Sequence, residues 1–122
     1  MPVFYRFDSN IIVIELIDEY SITEFRTVVI NSFNDPSRPE NPVLLIDLSK
    51  SRSIQNRSSA NINSMASFIA SYSEKFHHRL AIVVPDDLTF GLMRMSSIDA
   101  DALKISINIL RTVEEARKWL NA

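Results

Sequence analysis

The apolar positions of this chain change period several times. Val3, Tyr5 and Phe7 fall on one side of an alternating segment, the period of a half-buried strand, and Asp8-Ser9-Asn10 marks a turn. Ile11 to Ile17 is a nearly continuous β-branched run, so the two segments should pair as an antiparallel hairpin. Helical spacing then takes over at Ile22, Phe25, Val29 and Phe33. Ser21-Ile22-Thr23-Glu24 reads as a capping box, the serine accepting from the Glu24 N–H and the glutamate reaching back to the Ser21 N–H. Tyr20 and Phe25 are spaced as its hydrophobic staple. Asn34-Asp35-Pro36 ends the helix, and a proline-bearing loop runs to Pro42.

Val43-Leu44-Leu45-Ile46-Asp47-Leu48 is apolar on both faces until Asp47, the pattern of a central parallel strand covered on both sides. Ser49 to Asn56 reads as a polar loop. From about Arg57 to Phe76, the residues Ile62, Met65, Ala66, Ile69, Tyr72 and Phe76 form a helical stripe. Leu80 to Val84 is a second buried strand. Pro85 and Asp86 open a helix carrying Leu88, Leu92 and Met95, with Ala102 further along, and Ile105 to Leu110 is the last strand. Thr112-Val113-Glu114-Glu115 repeats the capping box before a helix seated by Val113, Ala116, Trp119 and Leu120. The order β-β-α-β-α-β-α-β-α predicts an α/β fold: a mixed, mostly parallel five-stranded sheet with a leading β-hairpin and four helices. Val43–Leu48 and Leu80–Val84 are expected to be adjacent parallel strands.

The 122 residues suit a single domain over 1–122 with one real core, and neither a repeat nor a linker interrupts them. With 13 basic and 15 acidic residues the formal net charge is −2, the wrong sign for a domain built on nucleic acid. The chain has no cysteine, which removes thiol catalysis and cysteine-ligated zinc. It has one glycine, Gly91, which excludes dinucleotide fingerprints, P-loops and the hydrolase nucleophile elbow. No apolar run approaches the roughly 20 residues of a membrane span. The opening MPVFYRFDSN lacks the basic start and apolar core of a secretory leader, so a cytoplasmic location is expected.

This element order, with Leu44-Leu45-Ile46-Asp47-Leu48-Ser49 on the central strand, resembles the STAS superfamily. Closer still is the likeness to its SpoIIAA-like group, carried by Leu80-Ala81-Ile82-Val83-Val84-Pro85-Asp86-Asp87-Leu88, by Gly91 with Met93-Arg94-Met95, and by Glu114-Glu115-Ala116 and Trp119-Leu120. The resemblance spans nearly the whole chain, and its motifs specify a fold more than an activity. It implies a regulatory or interaction domain that works through the helix after the central strand. In regulatory STAS proteins a serine at the start of that helix is phosphorylated within Asp-Ser-Ser-Gly; the corresponding stretch here is Arg57-Ser58-Ser59-Ala60, which keeps the two serines and replaces the aspartate and the glycine. The fold is also similar to that of CRAL-TRIO lipid-binding domains, which implies a rival reading as a carrier.

In open α/β sheets, partners and ligands favour the crevice beyond the carboxyl ends of the strands. That edge should collect Asp47, Ser49, Lys50, Ser51, Arg52, Arg57, Ser58, Pro85, Asp86 and Arg94. Helix starts near Ser58 and Asp86, with arginines beside them, would suit an anion or a phosphoserine; equally, Asn56 or Ser58 would serve as an ordinary cap in a polar loop. Gly91, inside a helical pattern, costs about 1 kcal/mol relative to alanine, for the sake of close packing or of room for a ligand. Phe90, Leu92, Met93 and Met95 form a soft apolar set, either core filler or the wall of an apolar site.

His77 and His78 point about 100° apart on a helix and do not chelate one metal. Asp86-Asp87 and the Asp99/Asp101 pair are explained by capping and solvation as well as by acid–base work. The residues give no sign of an enzyme, a cofactor or a metal, and the STAS resemblance implies a domain that binds a protein partner. The alternative is a small carrier of an apolar or lipid-like ligand, with the helix from Asp86 to Ala102 as a movable cover. The leading hairpin also leaves a sheet edge, which invites a homodimer.

Overall fold

The computed structural model describes residues 3–18, 20–51, 67–72, 76, 79–84, 86 and 105–121. Strands β1 (Val3–Asp8) and β2 (Ile11–Asp18) form the antiparallel hairpin, with Val3 opposite Leu16 and Asp8 opposite Ile11. Ser9 takes φ 53°, the left-handed value demanded at the first central position of a two-residue hairpin turn. Helix α1 (Ile22–Asn34) follows, then β3 (Val43–Ser51) and the helical residues 67–70, here α2. After these come β4 (Arg79–Val83), β5 (Ser106–Leu110) and helix α3 (Val113–Leu120). The five strands lie in the order β1-β2-β3-β4-β5, and every pairing after the hairpin is parallel. Val43–Leu48 and Leu80–Val84 are neighbours, as their two apolar faces require.

Sequence order equals spatial order, so each parallel crossover advances the same way across the sheet. Right-handed crossovers of that kind leave their helices on one face. Phe25, Val29 and Phe33 of α1 and Ile69 of α2 accordingly share one cluster with Ile12, Ile14, Leu44, Ile46, Leu48, Leu80 and Ile82. Aromatic rings tie the two helical segments together: Phe25 meets Phe68 edge-on at 6.3 Å, and Phe33 lies 5.5 Å from Tyr72 and stacks on Phe76 at 6.2 Å. The opposite face, Ile11, Val13, Val43, Leu45, Ala81 and Val83, is closed by Ala116 and Leu120 of α3. Arg79 latches that helix: its Nη1 donates to the Trp119 carbonyl at 2.7 Å and its guanidinium sits 5.5 Å from the Trp119 ring. A cation at a helix C-terminus is favourable on both counts.

Four expectations change. In both capping boxes the cap hydroxyl accepts as expected, Ser21 from the Glu24 N–H at 3.0 Å and Thr112 from the Glu115 N–H at 3.1 Å. Each glutamate, however, turns to the cap hydroxyl, Glu24 to Ser21 at 3.3 Å and Glu115 to Thr112 at 3.1 Å. Ser49 to Ser51, expected in a loop, continue β3 because β2 extends to Asp18 and offers partners, Ile17 to Lys50 and Asp18 to Ser51. The helix expected to reach Phe76 stops at residue 70: the Ser71 hydroxyl donates to the Phe68 carbonyl at 2.6 Å and the Tyr72 N–H to Ile69 at 3.0 Å, a tightened last turn. Among the described residues the helical segments are three, α1, α2 and α3. The helix expected from Asp86 to Ala102 lies outside the described residues, Asp86 itself excepted. No helix among the described residues is long and apolar enough to cross a membrane.

Leu45→Ala, on a fully buried residue of the α3-covered face, should cost about 2–5 kcal/mol in urea unfolding; a loss well below one would mean that the site relaxes freely. Ser21→Ala and Thr112→Ala should each destabilise by about 0.5–2 kcal/mol in the same assay.

Candidate functional site

Because β2 to β5 run parallel, their carboxyl ends gather along one edge, with Glu15, Asp47, Val83 and Leu110 in a single row of the register. One step beyond that row the β2–β3 ladder slips. Glu15 faces Asp47, yet Ile17 faces Lys50, so β3 carries one residue more than β2 between these pairs. A bulge of this kind breaks the ladder and frees backbone groups. Asp47 recovers one of them, its Oδ1 accepting the Ser49 N–H at 2.9 Å. Ser49 and Lys50 are exposed, and Asp47 is half-buried at the end of an otherwise apolar strand. A carboxylate, a hydroxyl and an ammonium are thus presented on bulged backbone at the end of the central strand. That chemistry suits hydrogen-bonded recognition.

Asp86 is half-buried two residues beyond Val84, whose N–H donates to the Leu110 carbonyl at 3.0 Å. The topology therefore brings Asp47 and Ser49 of β3 to the same edge as Asp86, which follows β4. Arg52, Arg57, Ser58, Ser59, Gly91, Met93 and Arg94 lie outside the described residues. Among the described residues, no group of three His, Asp or Glu side chains could hold a metal ion. A shallow hollow of about 400 Å³ lined by Glu114, Arg117, Lys118 and Asn121 lies on α3. All four lining residues are exposed and their charges are mixed, so it offers surface without enclosure.

A polar pair that the sequence reading passed over joins β1 to the end of α1. The Tyr5 hydroxyl donates to Asp35 Oδ2 at 2.7 Å, while Asp35 Oδ1 accepts the Ser37 N–H at 2.8 Å. The Asp-Pro-Ser run hints at the second bond, a local Asx turn. Nothing in the sequence signals the first, which joins residues 30 apart. The bond to the Ser37 amide, and then that to Tyr5, holds the Asp35 carboxyl below its ordinary range. The same bond to Asp35, with desolvation and the negative charge behind it, raises the Tyr5 phenol. The pair fastens α1 to the sheet.

Its pH dependence has a definite sign. Stability from the lowered Asp35 is present above the usual carboxylate range and is lost as pH falls through its folded value. Stability from the raised Tyr5 is present below pH 10.0 and is lost as pH rises through its folded value. Tyr5→Phe should therefore be less stable than the parent at neutral pH, with the deficit shrinking at both extremes. Thermal melts across the pH range check this; a deficit that is flat with pH would mean that the pair does not form.

Compared with protein-family models, with curated proteins and with solved structures, the chain matches none.

Proposed function

We propose that the chain is a non-catalytic, cytoplasmic STAS-like interaction domain that binds a protein partner through the helix following β3. The supporting observation is the end of β3. The middle strand of the sheet leaves its apolar register at Asp47, bulges, and continues as exposed Ser49 and Lys50 into the stretch holding Arg52, Arg57, Ser58 and Ser59. The carboxyl edge of a parallel sheet is where such folds take their partners. Arginines beside a helix start would accommodate a phosphoserine within the folded domain. A phosphate adds roughly −1.5 to −2 charges at neutral pH. A partner docked over the same spot would have to desolvate that charge, which is costly. Regulation would then act on binding and leave the fold intact.

The test compares Ser58→Asp and Ser59→Asp with the unmodified chain. On this reading the unfolding free energy should shift by no more than about 0.5 kcal/mol, while a partner captured by the parent from its host is lost. A partner retained by both variants would overturn the switch. An apolar ligand found by native mass spectrometry, with no partner, would move the reading to a carrier that uses the segment from Asp86 to Ala102 as its cover, with Leu92, Met93 and Met95 lining the cavity.

A further inference from the structure

β1 is an outer strand of the sheet. Its connection to β2 is the two residues between paired Asp8 and Ile11, and such a turn closes on a hydrogen-bonded pair. Bonding alternates along an antiparallel ladder, so Asp8, Arg6 and Phe4 bond to β2. Val3, Tyr5 and Phe7 therefore turn their N–H and C=O groups to the side on which no strand pairs among the described residues. The strand is lightly guarded for an edge: its six residues pair with β2 without a bulge and include neither lysine nor proline, and its charges are Arg6 and Asp8. Phe4, 50% exposed, is the exposed large apolar side chain among the described residues.

We infer that a second copy of this chain pairs with this edge, β1 to β1, antiparallel about a two-fold axis at Tyr5. In two-fold pairing the residues set opposite each other share a face, which leaves two registers that match most of the strand. Centred on Arg6, the pairing sets Arg6 against the partner's Arg6 at the close spacing of a non-hydrogen-bonded pair, and like charges directly opposite are destabilising. It also leaves Val3 without a partner. Centred on Tyr5, all three outward-facing residues are used: Val3 pairs with the partner's Phe7, Tyr5 with the partner's Tyr5, and Phe7 with the partner's Val3. Arg6 then lies opposite the partner's Phe4, twice by symmetry, at the close spacing. Its guanidinium is already held on that face by Glu15, Nε to Oε1 at 2.7 Å, and it meets an aromatic ring, a favourable cation–π contact. The surface is complementary to itself in this register and repels itself in the other.

The chain has no cysteine, so introduced thiols report the register without interference. The parent should sediment at twice 14.0 kDa at high micromolar concentration. Phe4→Lys, a change at an exposed position that opposes the partner's Arg6 with a like charge, should halve that mass with an unchanged circular dichroism spectrum. Under mild oxidation, Phe4→Cys protein mixed with Arg6→Cys protein should form a covalent dimer, and neither should do so alone. A parent that sediments only as monomer overturns the proposal. So does Arg6→Cys cross-linking by itself, or a Phe4→Lys protein that stays folded and dimeric.

Discussion

The strands β2, β3 and β4 are apolar on both faces, and that double burial dictates the rest of the architecture. Leu44, Ile46 and Leu48 point one way from β3, and Val43 and Leu45 point the other. Each such side chain stabilises the fold by roughly 1.5–3 kcal/mol when removed from water, so neither face can be left wet. Crossovers that all advance in one direction cover only one of them. The second depends on the segment after the last strand, and α3, latched by Arg79, meets that need. It has eight residues, about 12 Å of helix, against about 19 Å across five strands. It closes over β3, β4 and β5 and over Ile11 and Val13 of β2, and its Arg117 reaches Asp8 at the end of β1 at 3.3 Å; Phe4, Arg6 and Glu15 lie farther along the same face. Phe4 and Arg6 are exposed there and Glu15 is half-buried.

What was legible in the sequence follows from the same division. The strands of the core announce themselves because a doubly buried strand needs an unbroken apolar run, and Val43–Leu48 and Leu80–Val84 have one. The helix starts at Ser21 and Thr112 were legible because caps are local chemistry, set by residues three apart. The second half of each capping box was not: whether a glutamate meets the cap's N–H or its hydroxyl is decided by a side-chain torsion on an exposed turn, where the two differ little in energy. The extension of β3 through Ser51 was hidden because Ser49-Lys50-Ser51 has loop composition. Its strand character comes from β2 alongside, a partner distant in sequence. The Tyr5–Asp35 bond was hidden for the same reason. At the candidate site, the crevice rule picked out Asp47, Ser49 and Asp86 from strand order alone, and the topology places them on one edge. The bulge that shapes this edge had one faint signal, an aspartate two residues before a serine, which became readable only beside the slip in register.

The two surfaces argued for are independent, and the strand directions say why. β1 runs antiparallel to β2 and therefore to every other strand of the sheet. When β1 of one copy pairs antiparallel with β1 of another, the parallel strands of the two copies run in opposite directions through the joined sheet. Their carboxyl edges then lie on opposite sides of it. Each copy would keep its own Asp47–Ser49 edge open, and neither edge would be completed or covered by the other copy. A partner bound at one edge therefore need not compete with dimerisation. What the pairing changes is valency, since one assembly would present two sites, on opposite sides of the joined sheet.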